Sequence, residues 1–181
     1  MNVERDEKAS TQRYQRHETC GYVYKHVPRL DKYDKPLKLF RGDGTTNVAE
    51  HFINAIVKES DEIRDIMSKT IPMNLTEEEE NEFQSSTQCY LCGKDYTKDD
   101  IKHRDHDHLT GQYRGSAHQT CNMQYSYKNY KLPVIFHNLK GYDSHLIIKA
   151  FNNKNFKIEC IASSTEKYLS FSISNKIEFI G

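Results

Sequence analysis

The sequence lacks a surplus of charge of either sign. Its 181 residues carry 26 Lys and Arg against 26 Asp and Glu, a formal net charge of zero. Because DNA-binding domains are usually basic, we expect any affinity for DNA to be modest and strongly salt-dependent. Internal repeats, low-complexity segments and apolar stretches long enough to span a membrane are also absent, which excludes repeat and membrane-spanning proteins. A chain of this length forms one medium domain or two small lobes.

Cysteine is scarce, and its number, five, is odd. Disulfides are rare in reducing compartments, and no apolar segment resembling a secretory signal is visible. We therefore expect an intracellular protein of the nucleus or cytoplasm. Three of the cysteines fall within residues 89–121. Cys20 and Cys160 stand alone, and we predict that both are free thiols packed within the fold.

Two pairs of metal-type ligands bound that region, Cys89-x2-Cys92 and His118-x2-Cys121. Zinc prefers four such ligands in a tetrahedron, and ligands two residues apart can bind one ion from a tight turn. Gly93 directly follows the first pair, as a turn residue should. The spacing predicts a structural zinc site on all four ligands. The alternative is that the cysteines are ordinary buried thiols and His118 an unrelated surface imidazole.

The segment between the ligand pairs predicts a β-hairpin over residues 101–108 and 112–114, then a helix over residues 121–128. Asp105 lies on the first predicted strand and Asn122 near the start of the helix. Oxygen donors of this kind suit Mg²⁺ bound to a phosphate. We therefore predict a second, catalytic metal site on Asp105 and Asn122.

Two histidines of this segment predict further catalytic roles. His106 titrates near neutral pH and can take a proton from an attacking water molecule. His108 would orient or neutralise a phosphate, with Arg114 assisting it. The alternative is that the histidine-rich run binds metal adventitiously or supplements the zinc site, since histidine is a common ligand.

Taken together, these motifs resemble the recombination endonuclease VII family of ββα-metal (His-Asn-His) nucleases. The family pattern is Cys-x2-Cys, Asp-His-Asp-His, Arg-Gly and Cys-x2-Cys-Asn, with cysteine usual at the position of His118. The resemblance implies zinc ligands at Cys89, Cys92 and Cys121, catalytic-metal ligands at Asp105 and Asn122, and a general base at His106. Members that resolve branched DNA dimerise through long helices after this core. This chain turns instead into a different motif, so junction resolution is not implied.

That different motif lies between a predicted buried strand, residues 133–136, and a predicted helix, residues 144–151. Its residues Asn138, Tyr142 and Asp143 resemble the second exonuclease motif of B-family DNA polymerases, in which the Asp helps to bind metal and the Asn steadies the DNA end. The resemblance implies DNA contacts from these three residues. The alternative is a plain strand-turn-helix with a helix cap.

The order of segments along the chain resembles protein-primed type-B DNA polymerases of virus-derived transposons. In these polymerases an endonuclease VII-like zinc module lies inside the ribonuclease-H-like exonuclease region. However, the sequence contains no Asp-x-Glu and no Asp after Asp143, and a two-metal exonuclease would need both. We therefore expect an internal piece of such a polymerase, without proofreading or polymerase activity. Its partners would be DNA and the missing parts of the larger protein.

The predicted fold class is α+β, with a zinc-stapled ββα-metal module flanked by a partial ribonuclease-H-like α/β region. The predicted segments are a flexible N-terminus over 1–15, an α/β region over 16–85 with a long helix over 47–68, the zinc module over 86–131, and exonuclease-like strand-helix-strands over 132–181. A capping box at Thr76 predicts a second helix. Further strands are predicted over 21–27, 37–40, 156–161, 168–173 and 177–180.

Three functions fit these observations. The first is a Mg²⁺-dependent DNA endonuclease, which the intact Asp105, His106 and Asn122 favour. The second is a non-catalytic, zinc-stabilised DNA-binding or structural segment of a polymerase. The third is an inert truncated relic, which the absent exonuclease carboxylates and the replacement of a zinc cysteine by His118 favour. We prefer the nuclease, and the sequence leaves the structure of its DNA substrate open.

Overall fold

The computed structural model describes residues 17–124, 130–151, 156–164, 167–174 and 176–181. It contains four α-helices: α1 (Val48–Ser68), α2 (Glu77–Ser85), α3 (Gln119–Gln124) and α4 (Ser144–Lys149). The strands are β1 (Gly21–Tyr24), β2 (Lys38–Arg41), β3 (Lys102–His106), β4 (Tyr113–His118), β5 (Leu132–Ile135), β6 (Ile158–Ser164), β7 (Lys167–Ile173) and β8 (Ile177–Ile180). A 3₁₀ turn (Asp31–Tyr33) and a π-helix (Leu139–Asp143) complete it. The mixed α+β class is confirmed.

The long helix α1 packs its apolar face against a four-stranded sheet. Apolar residues recur at helical spacing, so Phe52, Ile53 and Ile56 share a buried face. The helix begins where Asn47 accepts a hydrogen bond from the backbone N–H of Glu50 at 3.2 Å, which satisfies one of the otherwise unpaired first-turn donors. The predicted helix is thus confirmed to within one residue.

The sheet has the strand order β5-β8-β7-β6. Strands β6, β7 and β8 form an antiparallel meander, whereas β5 pairs parallel to β8. Helices α1 and α4 contribute to one core with this sheet, and the core includes Phe151, Phe171, Ile173, Ile177 and Phe179. A ribonuclease-H-like identity for this region remains a prediction.

A second unit is the hairpin of β3 and β4, which is flanked by α2 and α3. The capping box predicted at Thr76 is confirmed: its side chain and that of Glu79 each accept a hydrogen bond from the other residue's backbone N–H. Arg104 of β3 donates two hydrogen bonds to Glu80 of α2, at 2.8 and 2.6 Å. This two-pronged ion pair fixes α2 on one face of the hairpin.

The chain between α1 and α2 runs along the turn of this hairpin. The backbone N–H of Ile71 donates to the carbonyl of His108 at 2.8 Å, and that of Asn74 donates to the carbonyl of Gly111 at 3.1 Å. From the N-terminal region, Arg29 forms an ion pair with Asp107. The hairpin turn is therefore held by residues far from it in the sequence.

Several sequence predictions need correction. Cys20 and Cys160 are exposed, not packed within the fold. Cys20 directly precedes β1 and Cys160 lies on β6, and both positions face solvent. The first predicted strand ends at Tyr24 rather than Val27, and α3 begins at Gln119 rather than Cys121. The remainder of that predicted helix, residues 125–128, and the whole of the predicted flexible N-terminus, residues 1–15, lie outside the described residues.

No helix among the described residues is long and apolar enough to cross a membrane.

Candidate metal centre and nuclease site

Three thiols and one imidazole meet at the base of the hairpin. The ligand atoms of Cys89, Cys92, His118 and Cys121 all lie within 4.8 Å of one another. His118 Nδ1 is 3.5 Å from the Cys92 sulfur and 3.9 Å from the Cys121 sulfur. This donor set is the one that structural zinc prefers. All four residues named by the sequence analysis are brought together, and the cluster is compatible with one zinc ion.

A tight turn presents the first two thiols. The backbone N–H of Gly93 donates to the Cys89 carbonyl at 2.8 Å, and that of Cys89 donates to the Lys94 carbonyl at 2.9 Å. Gly93 has φ of 69°, a left-handed conformation that glycine adopts without strain. Burial raises the pKa of the Cys89 thiol, but backbone N–H donors, first among them that of His118, lower it to about 6 overall. These donors favour the thiolate that zinc requires.

An aspartate outside the predicted ligand set supports His118. Asp100 Oδ2 lies 3.4 Å from His118 Nε2, the ring nitrogen that faces away from the thiols. The same oxygen accepts hydrogen bonds from the Thr97 backbone N–H and hydroxyl, at 2.7 and 2.8 Å. A carboxylate on the second ring nitrogen fixes the tautomer and orientation of a metal-binding histidine. Asp100 was not predicted from the sequence, because a position 18 residues before a histidine ligand carries no local signal.

A β-bulge lies in the middle of the hairpin. Asp105 pairs with Gly115 and His106 pairs with Tyr113, which makes Arg114 the extra residue of the bulge. Bulges bend a strand and redirect the side chain of the extra residue. Here Arg114 turns toward Asp105, and its Nη2 donates to Asp105 Oδ1 at 2.9 Å.

Asp105 is the most deeply buried carboxylate of the site, only 2 % exposed. Its Oδ1 accepts the hydrogen bond from Arg114, and its Oδ2 accepts one from the Tyr90 hydroxyl. Burial of a carboxylate without such partners would cost several kcal/mol. The predicted metal ligand Asp105 is therefore held in place by the side chains of Arg114 and Tyr90. The contribution of Tyr90 was not predicted from the sequence.

His106 presents a buried ring nitrogen. Its Nε2 is inaccessible to solvent and has no hydrogen-bond partner among the described residues. Burial lowers the pKa of His106, and the nearby His108 lowers it further, so the imidazole is uncharged at neutral pH. The two rings have centroids 4.9 Å apart, and His108 itself is exposed. An uncharged imidazole has the lone pair that a proton acceptor needs.

The remaining predicted residues are dispersed. Asn122 is half-buried on α3, which packs against both strands of the hairpin, so it is on an element adjoining Asp105. Asn138, Tyr142 and Asp143 lie after β5, in and before the π-helix. The Tyr142 hydroxyl is 2.8 Å from His17 Nδ1. Asp143 makes no side-chain capping bond to α4. A DNA contact by these three residues stays a prediction.

One comparison with known proteins gives a match at this site. The family model described as recombination endonuclease VII matches residues 67–131. The match spans α2, the zinc cluster, the hairpin and α3, and it covers less than half of the chain. No curated protein and no solved structure matches. The hairpin and its metal cluster are thus similar to a nuclease-type module.

Proposed function

We propose that residues 86–131 form a metal-dependent DNA endonuclease module that hydrolyses phosphodiester bonds. The observation that carries the proposal is the buried, unpartnered Nε2 of an uncharged His106, one residue from a buried carboxylate and on the hairpin whose other end bears a zinc-type cluster. The similarity to the endonuclease VII family supports DNA as the partner. In this proposal the zinc ion is structural.

Asp105 and Asn122 would hold a divalent ion such as Mg²⁺. A carboxylate has about four acceptor positions on its two oxygens, so Asp105 can accept from Tyr90 and Arg114 and still offer an oxygen to a metal. The amide oxygen of Asn122 is a second donor of the type that Mg²⁺ prefers. When bound, the ion would stabilise the charge that develops on the phosphate.

The side chains of the module would perform the remaining steps. His106 Nε2 would accept the proton of the attacking water, since it is neutral and has no competing partner among the described residues; because this nitrogen is closed to solvent in the free protein, DNA binding would have to open the site at His106. Arg114, whose Nη2 lies 2.9 Å from Asp105 Oδ1, would also donate a hydrogen bond to an oxygen of a phosphate bound at Asp105. The exposed His108 would contact the neighbouring backbone.

The test is cleavage of plasmid and branched DNA by zinc-loaded protein, with and without Mg²⁺. We expect Mg²⁺-dependent cutting that falls by 10²- to 10⁴-fold in His106→Ala, while His103→Ala, also on β3, retains it. No cutting by the unmodified protein, with DNA binding retained, would replace the nuclease by a structural module. Loss of both cutting and binding would indicate an inert fragment.

A non-catalytic DNA-binding segment is the second candidate. The observation that favours it is the pairing of both Asp105 oxygens with side chains of the protein itself, which is also what a purely structural carboxylate would show.

The wider parentage that we propose, an internal piece of a protein-primed B-family polymerase with a ribonuclease-H-like flank, rests on the order of sequence motifs. Association with a polymerase would test it.

A further inference from the structure

We infer that Tyr90 is a positioning residue for the metal site, which links the zinc cluster to the carboxylate of Asp105. This inference rests on the proposed nuclease function, since it gives Asp105 a metal to bind. Tyr90 lies between two zinc-type ligands in the sequence, Cys89 and Cys92, and its hydroxyl donates to Asp105. A single side chain thus joins the two sites.

The backbone fixes the base of Tyr90. Its N–H donates a hydrogen bond to the carbonyl of Ser116 at 3.0 Å. The sulfur of the neighbouring Cys89 accepts a hydrogen bond from the His118 backbone N–H at 3.4 Å. The turn that holds Tyr90 is therefore attached to β4 at the tyrosine and at the residue before it. A zinc ion on the four ligands would hold the same turn to the same strand.

Gly115 provides the room for the tyrosine ring. A Cβ at this position would lie 2.9 Å from Cγ and Cδ1 of Tyr90, closer than any side chain could approach. Gly115 also has φ of 145°, which few other residues adopt. Because Gly115 is the cross-strand partner of Asp105, the ring passes over β4 next to Asp105, and its hydroxyl reaches the carboxylate.

The consequence concerns the orientation of Asp105. Partners that orient a metal-binding carboxylate typically change metal affinity or activity by 10- to 100-fold when removed. Arg114 holds the other oxygen, but through a long side chain that is about one-third exposed. Tyr90 is more exposed, at 44 %, but its backbone is hydrogen-bonded to Ser116 and its short side chain has fewer rotatable bonds than that of Arg114, so it is the more rigid of the two supports.

The experiment titrates Mn²⁺, as a spectroscopic substitute for Mg²⁺, into zinc-loaded protein and follows free Mn²⁺ by electron paramagnetic resonance. We expect Tyr90→Phe to bind Mn²⁺ at least about 10-fold more weakly than the unmodified protein, with the same zinc content. The Mg²⁺ concentration for half-maximal DNA cleavage should rise by a similar factor. Tyr113→Phe is the matched control, because it removes a buried hydroxyl of the same hairpin that has no partner among the described residues.

The outcomes distinguish the role of Tyr90 from the nuclease function on which it rests. If packing of the ring were the whole role of Tyr90, Tyr90→Phe would bind Mn²⁺ like the unmodified protein, and the inference would be wrong while the nuclease stood. Loss of zinc from Tyr90→Phe would also overturn it, because the residue would then act on the zinc turn itself. Absence of Mn²⁺ binding and cleavage in the unmodified protein would reject the nuclease and the inference together.

Discussion

Glu59 is a charged residue in the interior, only 7 % exposed. Its carboxylate accepts hydrogen bonds from the Lys35 ammonium at 2.5 Å and the Tyr24 hydroxyl at 3.1 Å. His26 Nε2 lies 3.2 Å away. Burial raises the pKa of Glu59, but Lys35 and His26 more than compensate and hold it below its ordinary value of 4.5. The network joins α1 to the segment that follows β1.

This network predicts how stability depends on pH. Because the pKa of Glu59 is lower in the folded protein, its contribution is complete above about 4.5 and is lost as the pH falls through the folded value. We expect Glu59→Gln to reduce the free energy of unfolding by about 1–3 kcal/mol at pH 7. The difference from the unmodified protein should shrink below pH 4.5 in urea titrations.

The matched control is Glu62→Gln, on the same helix and paired with the same Lys35, but about half exposed at its side chain. An exposed ion pair contributes about 0–1 kcal/mol, so this variant should lose little. Equal losses in both variants, or a Glu59→Gln deficit that persists at low pH, would contradict the role given to burial.

The residues of the candidate site were predictable to different degrees. The four zinc-type ligands could be read from the sequence because two short spacings carry them, and the structure brings all four together in a cluster compatible with zinc. Tyr90 and Asp100 could not, since their roles depend on tertiary contacts. A tyrosine between two cysteines has no special meaning in the sequence, and its role follows only from the contact of its hydroxyl with a carboxylate on β3. The catalytic roles of Asp105 and His106 stay predictions.

At the scale of elements, the hairpin turn depends on one glycine. Gly111 has φ of 75°, and a Cβ there would lie 2.5 Å from the backbone carbonyl oxygen of Pro72. Gly44 has a similar φ of 86° but nothing within 4 Å of such an atom. A substitution at Gly44 therefore tests the strain of a left-handed residue alone, whereas one at Gly111 adds a steric clash with Pro72.

We expect Gly111→Ala to lower the free energy of unfolding by roughly 1–3 kcal/mol for the left-handed conformation, with a further loss from the clash. Gly44→Ala should show the first loss alone. Urea unfolding of the two zinc-loaded variants measures both quantities. Similar losses would mean that the segment containing Pro72 moves aside without cost.

Local patterns predicted most elements, while the irregular ones were missed. Apolar residues at helical spacing predicted α1, and the capping box predicted the start of α2, because both signals act within a few residues. The bulge at Arg114 and the π-helix Leu139–Asp143 were not predicted. Both are departures from regular hydrogen bonding that packing stabilises, so short-range sequence patterns do not carry them.

At the scale of the whole molecule, the zinc-type cluster and the main hydrophobic core are separate. The core of α1, α4 and the sheet contains none of the four metal ligands. The hairpin, in contrast, buries few apolar side chains, Tyr113 and Ala117 among them. Small modules of this kind depend on metal binding for much of their folding free energy.

Removal of zinc should therefore unfold one part of the chain before the other. After treatment with a chelator, we expect backbone amides of β3, β4 and α3 to lose protection from hydrogen exchange. Amides of α1, β7 and β8 should retain theirs, because their packing does not involve the metal ligands. Exchange measured by mass spectrometry on peptides would resolve the two regions. Simultaneous loss in both would mean that the molecule unfolds as one cooperative unit.

Strand β4 places Arg114, Gly115 and His118 within five consecutive positions, and the contacts of all three with Asp105, Tyr90 and the thiols depend on the register of this strand. A slip of one residue would send every side chain of the strand to the opposite face. Arg114 would then leave Asp105, a residue with a Cβ would meet the Tyr90 ring, and His118 would leave the thiols. A one-residue slip of this hairpin would consequently disrupt the metal cluster and the Asp105 site together.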